Sequence, residues 1–297
     1  MAAAITTLSK LIISDSADHL TNPLRLDFAE FDIGIMLEQK NMNGTRGKYD
    51  EDIERVRVNR TTISPRYRGE PTALEWATLL PWALGATASG TTYALGNNVY
   101  QKYMRFDPSN GKKWQFVGVA VDALTMRSSS GEPLSCDLDL VGMTYSNPVD
   151  SFPAGNLDIT TQPFLLSDCV LTWDGSTRNF RDMSVSVRNN IDRGRFLNSQ
   201  TLTATNKLHR EIVWSIELPS GDYDSLWDSG DGANSGANLS AVFTNGATSI
   251  TLASTAVNLI PVAPMHPFQN EGMLRLEGKA YSLAGASSFT VTLDSTP

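Results

Sequence analysis

The chain has 297 residues, of which 41% are apolar and only 19% charged, and its formal net charge is −8. That composition can bury a large core and excludes wholesale disorder or a coiled coil, while the acidic balance has the wrong sign for a conventional DNA- or RNA-binding surface. No apolar run reaches the roughly 18 residues of a membrane-spanning helix, so no membrane insertion is expected.

In chain order, the first 14 residues lack the basic start and unbroken apolar stretch of a secretory signal, because Thr6, Thr7, Ser9 and Lys10 interrupt them. A strand is predicted over 24–37. It leads into the polar stretch 39–54, whose Asn43-Gly44 and Arg46-Gly47 pairs and acidic run are loop chemistry with little to bury. A second strand follows over 55–63. Thr72 and Glu75 then form a capping box, Leu74, Trp76, Ala77, Leu80 and Leu84 make an apolar stripe, and Gly85 supplies the stop. The result is a helix lying on a sheet, which Pro81 should kink or shorten. Beyond it, a short hairpin is predicted over 91–106 and a longer one over 114–145, where Leu134, Cys136, Leu138 and Leu140 alternate with polar residues.

The same order of elements returns in the second half. A strand with Met183, Val185 and Val187 on one face precedes a second long polar loop, 189–206. A strand with Ile212, Trp214, Ile216 and Leu218 comes next, then a helical turn at 222–229 and hairpins over 239–252 and 273–293. Matched order and length of elements, with little matched identity, predict a duplication. The linker, 151–163, carries Pro153 and Pro163, Gly155 and Asn156.

Chemistry-bearing residues are sparse. His19, His209 and His266 have no metal-ligand spacing, Cys136 and Cys169 are too few for a disulfide framework, and no phosphate loop or nucleophile elbow is present. No catalytic, cofactor-binding or metal-binding residue is expected, and the chain is read as a non-enzyme. Arginine outnumbers lysine 16 to 8, which favours fixed ion pairs at protein contacts.

Three stretches carry a resemblance. The first runs from Asn59-Arg60-Thr61-Thr62-Ile63 through Glu70-Pro71-Thr72 to Leu79-Leu80-Pro81-Trp82-Ala83-Leu84-Gly85. The second joins Gly118-Val119-Ala120-Val121-Asp122-Ala123-Leu124 to Ser130-Gly131-Glu132-Pro133-Leu134 and Asp137-Leu138-Asp139-Leu140-Val141-Gly142. The third is Leu166-Ser167-Asp168-Cys169 with Trp173-Asp174-Gly175 and Ser184-Val185-Ser186-Val187 to Asn189-Asn190. In this order they resemble the tail tube (major tail) proteins of long-tailed bacteriophages.

The resemblance implies a mainly β fold with short α segments: two tandem tail-tube-type β-sandwich or barrel domains, each with one flanking helix. Residues 1–150 would form the first domain, with an inter-ring loop at 39–54, and 164–297 the second, with its long loop at 189–206. In this family, tube domains give strands to a continuous inner barrel, six domains close a ring and rings stack. With two domains per chain, homotrimeric rings of pseudo-sixfold symmetry are expected, and homohexameric rings are the alternative. Lumen-facing candidates are Asp122, Asp137, Asp139 and Glu217, whose charge repels phosphate and keeps DNA sliding without specific binding. Inter-ring candidates are Lys40, Arg46, Lys48, Asp50, Glu51, Asp52, Arg193 and Arg195. Further partners implied are a tape measure protein and tail terminator or tip proteins. The expected location is the virion tail, after synthesis in the bacterial host cytoplasm. The contrasting reading is a carbohydrate- or receptor-binding β-sandwich of a virion, with Trp114, Trp173 or Trp227 as stacking platforms.

Overall fold

The computed structural model describes residues 9–16, 21–41, 56–108, 111–148, 161–219, 236–265, 273–282 and 287–294. The two-residue apolar alternation becomes strand almost throughout. The first half holds β1 (Lys10–Ser14), β2 (Leu24–Leu26), β3 (Glu30–Asp32), β4 (Ile35–Asn41), β5 (Val56–Ile63), β6 (Arg66–Gly69), helix α1 (Ala73–Leu84), β7 (Thr92–Ala94), β8 (Lys102–Asp107), β9 (Trp114–Ser129), β10 (Ser135–Val141) and β11 (Thr144–Ser146). After a 3-10 turn at Leu166–Asp168 come β12 (Cys169–Trp173), β13 (Ser176–Arg178), β14 (Asp182–Arg188), β15 (Glu211–Pro219), β16 (Ala237–Asn245), β17 (Thr248–Met265), β18 (Met273–Ala280) and β19 (Thr290–Asp294). The chain is thus mainly β, with one α-helix among the described residues. The helical turn at 222–229 and residues 149–160 of the linker region lie outside them.

Two strands organise the packing. The first part of β9 pairs with β8 and β11, and its second part with β10 and β14. The first part of β17 likewise pairs with β16 and β19, and its second part with β18. Each long strand therefore belongs to two layers. The inner layer runs β3-β6-β10-β9-β14-β15-β18-β17, with every pairing antiparallel. Over its apolar face fold two outer layers, β2-β1-β8-β9-β11 and β13-β12-β16-β17-β19-β7. Phe31 of β3 meets Phe106 of β8 at 4.8 Å and Phe116 of β9 at 6.4 Å between ring centroids. In the second half Trp214 of β15 meets Phe289 at 6.1 Å and donates from Nε1 to Ser254 Oγ of β17 at 3.0 Å. One continuous apolar core fills the space between the layers.

The pairings of the two halves correspond. A hairpin, β1·β2 or β12·β13, adds to the strand that precedes the long bent one, β8 or β16. A strand, long loop and strand follow, β3 and β4 to β5 and β6 in the first half and β14 to β15 in the second, and the later strand pairs with β10 or β18.

Some expectations are corrected. The predicted strand 24–37 is three strands, broken before Ile35 at Gly34, where φ is +57° and a Cβ would stand 1.9 Å from the Ser64 carbonyl oxygen. The segments 91–106 and 273–293 are not hairpins, because β7 pairs with β19 across the halves, while β8 pairs with β1 and β9, and β18 with β15 and β17. Sequence order alone does not reveal a partner two hundred residues away.

Helix α1 starts as its sequence dictates. Thr72 and Glu75 form the capping box, and the Glu75 carboxylate also accepts from the Asp27 amide at 3.0 Å, which ties the helix to β2. The helix runs through Pro81 to Leu84 rather than stopping short. The proline sits in the last turn on a partly exposed flank, where only one ladder bond is lost, and Gly85 closes the end with φ +75°. Trp82 donates to the Val119 carbonyl of β9 at 3.0 Å, fixing the helix over the joined layers.

Candidate assembly surfaces

The outer face of the inner layer carries charged and polar residues along most of two cross-strand rows. One cross-strand row reads Asp32, Arg66, Asp139, Ala123, Arg188, Glu211, and the next reads Glu30, Arg68, Asp137, Thr125, Ser186, Val213, Lys279, Asn258. Opposite charges alternate along these rows, as cross-strand pairing favours. Arg66 meets Asp139 at 2.7 Å, Arg68 meets Asp137 at 3.5 Å, Arg275 meets Glu277 at 2.7 Å, and Glu211 is held by Lys279 and by Arg188. These pairs are solvent-exposed, so each is worth at most about 1 kcal/mol. Burial raises the Asp137 carboxyl, and Asp139 and Glu30 add to that, against Arg68. Lys279 draws Glu211 below its ordinary range.

Asp182 and Glu217 face one another across β14 and β15. Their mutual hydrogen bond, with burial, raises Glu217. Burial pushes Asp182 the other way from its net shift, and hydrogen bonds from Glu217 and Ser129 leave it lowered. The shared hydrogen bond favours a proton on Glu217 over one on Asp182, which is why the two carboxyls move in opposite directions.

Of the four lumen-facing candidates, Asp137, Asp139 and Glu217 lie on this face. Simple alternation groups Asp122 with them, but the register slips at that point, with Asp139 opposite Ala123 and Leu140 opposite Val121. Asp122 is the extra residue of a bulge. Its carboxylate accepts from the Ile191 amide and pairs with Arg193.

That pairing belongs to the seam between the halves. Residues 123–129 of β9 pair with 182–188 of β14, so the sheet passes from one half to the other without a break. At its end sits Asn189, 1% exposed. Its amide donates to the Asp122 carbonyl at 2.6 Å, and its Nδ2 donates to the carbonyls of Ala83 and Val121, both at 2.9 Å. Its Oδ1 accepts from Arg210 Nε at 3.0 Å, while Arg210 Nη2 reaches the carbonyls of Gly96 at 2.7 Å and Leu84 at 3.3 Å. A cation thus closes the C-terminal end of α1, where the helix dipole favours it.

Close by, Lys207 Nζ is buried without a hydrogen-bond partner. Burial, with Arg210 adding repulsion, pushes its ammonium down to about 8. The unfolded chain then binds more protons than the folded one from about pH 8 up to the ordinary lysine range, so stability rises with pH through that window. Lys207→Met should therefore stabilise the protein at pH 7, by about 1 kcal/mol after allowing for solvent around the half-buried side chain, and should abolish the rise. Thermal melts of both proteins at pH 7 and pH 10 check this.

The loop 189–206, predicted as a second long polar loop, is seated on the first half. Ile191 and Leu202 are buried against Ala120 and Val141. Arg60 lies 3.9 Å from the centre of the Phe196 ring, and Gln200 bonds the backbone of β5 at Val58 and Thr61. Arg193, expected to face a neighbouring ring, is engaged within its own chain by Asp122, by Ser64 Oγ at 3.4 Å and through its carbonyl by Arg60. Arg195 is exposed. Lys40 lies on β4, while Arg46, Lys48, Asp50, Glu51 and Asp52 lie outside the described residues.

The aromatic platforms of the contrasting reading do not form one surface. Trp173 is buried at 7% exposure, Trp114 is partly covered and packs on Tyr145 at 5.9 Å, and Trp227 lies outside the described residues. Sequence reasoning missed Arg210. The usable signal was a charged residue between a long loop and a strand of strict alternation.

No curated protein sequence matches the chain. The family model described as "Phage tail tube protein" matches residues 57–261, well over half of it. That match spans α1, the seam, the whole of β9 and β17 as far as Pro261. The chain belongs to the phage tail tube protein family: it is a structural component of the virion tail that assembles with its own copies into a tube.

Proposed function

We propose that the chain carries two tandem tube domains, 1–150 and 164–297, so that three copies close a ring of pseudo-sixfold symmetry and rings stack around a channel for the phage genome. The observation that carries this reading is the correspondence of strand pairings between the halves, together with the unbroken passage of the inner layer through β9 and β14. A sheet that already continues from one domain to the next inside a chain is built to continue around a ring.

The polar outer face of the inner layer, with Asp137, Asp139 and Glu217, lines the channel in this reading. Acidic groups repel phosphate, and the interleaved arginines are occupied by carboxylates, which keeps them from gripping DNA. The hairpin β4·β5 is a two-stranded sheet whose β5 is held by the loop 189–206, while Met36 and Leu37 of β4 stand 70% and 46% exposed. It is the part suited to meet the next ring. Tape measure and terminator or tip proteins complete the set of partners, and the protein is made in the host cytoplasm.

Cryo-electron microscopy of the protein at high concentration tests the reading through the number of chains per ring. Three chains, each giving two similar domains, is the expected result. Six chains per ring would refute the trimer, and particles that remain monomeric in the presence of pre-formed tail tips would refute ring stacking.

A further inference from the structure

The seam inside one chain has two strands that do not recur as a pair anywhere else among the described residues. The first is β14, which pairs on one side with β15 and on the other with β9. Its counterpart in the first half is the line formed by β3 and β4, which pair with β6 and β5 on one side only. The second is β9, whose counterpart is β17. From Asn258 to Met265, β17 pairs among the described residues with β18 alone. Each half of a β14·β9 joint is thus present a second time, on two edges that have no strand beside them among the described residues.

We propose that the open edge of β17 receives the outer edge of β3 and β4 from a second copy of the chain, repeating between chains the antiparallel joint that β9 and β14 make within one. The proposal rests on the ring reading above and names the strands that close the ring. β3 and β17 lie at opposite ends of the inner layer, and β4 follows β3 in the separate β4·β5 sheet, so the contact is head to tail, as a ring requires. Unpaired backbone donors and acceptors on such edges favour the addition of another strand.

The two joints are not equal. Within the chain, β9 offers β14 seven consecutive residues in register. On β17, Pro261 stands opposite Leu276 of β18 and brings no N–H of its own. Ahead of that proline the inter-chain ladder has only Asn258 to Ile260 of β17 to draw on, since Val257 is already paired with Ala237 of β16, and it is the shorter of the two. Edge prolines restrain uncontrolled strand pairing, so Pro261 keeps free chains apart until a ring or tail tip aligns them.

Disulfide trapping tests the joint. In a Cys169→Ser background, which leaves only the buried Cys136, Asn258→Cys is combined in turn with Glu30→Cys, Asp32→Cys or Met36→Cys, all at exposed positions. After mild oxidation, at least one pair is expected to give a ladder of covalent dimers and larger multimers on non-reducing gels, with no ladder from any single cysteine. Electron microscopy of the same samples separates the outcomes. Tubes without a ladder from any pair would overturn the joint and leave the tube reading intact. A ladder without tubes would uphold the joint against the stacking of rings. Neither tubes nor a ladder would overturn both. As an independent measure, Pro261→Val should lower the concentration at which assembly begins, and an unchanged or higher value would refute the role given to the proline.

Discussion

Replacing Asn189 with leucine is expected to lower the melting temperature by roughly 5–6 °C, the loss of about 3–4 kcal/mol in a chain of this size. Leucine keeps the heavy-atom count and branching of asparagine and leaves no cavity, so the effect comes chiefly from lost hydrogen bonding. The substitution removes both Nδ2 bonds, leaving the Ala83 and Val121 carbonyls buried without a donor, and takes the acceptor from Arg210 Nε. Unmade bonds of this kind cost about 1–3 kcal/mol each, and the charged one lies at the upper end. Arg210→Ala should be costly as well, since it uncaps the carbonyls of Leu84 and Gly96. The double variant should lose less than the sum, because both substitutions break one shared bond. A thermal denaturation cycle of the four proteins measures this, and additive losses would show that the two side chains act separately.

Gly278→Val should be more damaging still, with a loss above about 4 kcal/mol and a second half that fails to form. A Cβ at Gly278 would stand 2.1 Å from the Asn258 carbonyl oxygen and 2.7 Å from the Leu259 Cα. Both are backbone atoms of the neighbouring strand, so no rotamer relieves the clash, and β17 has to part from β18. Gly131→Ala is the control. Nothing lies within 4 Å of that position, and only its φ of +82° is unfavourable, at a cost of about 1 kcal/mol. Hydrogen exchange over 273–280 distinguishes the two, with protection lost in the first variant and kept in the second.

Much of the fold was legible. Strands such as β10, β14 and β15 follow from strict alternation in Leu134 to Leu140, Met183 to Val187 and Ile212 to Leu218, and α1 follows from Thr72, Glu75 and Gly85. Local pattern fixes which face of a strand is dry, and it also placed Asp137 and Asp139 together. It could not place Asp122, because a bulge depends on the register of the partner strand and shifts every later residue by one. Nor could it find the seam. Asn189 and Arg210 act on the carbonyls of a helix more than a hundred residues earlier, and the loop between them reads as polar because the apolar residues it packs against the first half, Ile191, Phe196 and Leu202, are spaced without period.

The two bent strands also determine how the molecule carries a mechanical load. A strand confined to one layer can be peeled off from its end, one hydrogen bond at a time. β9 and β17 each continue into a second layer with different neighbours, so a pull along the polar face must slide whole ladders past one another, with their bonds strained together. The wall is therefore stiff along its strands, and it yields first where a strand is held by one neighbour only.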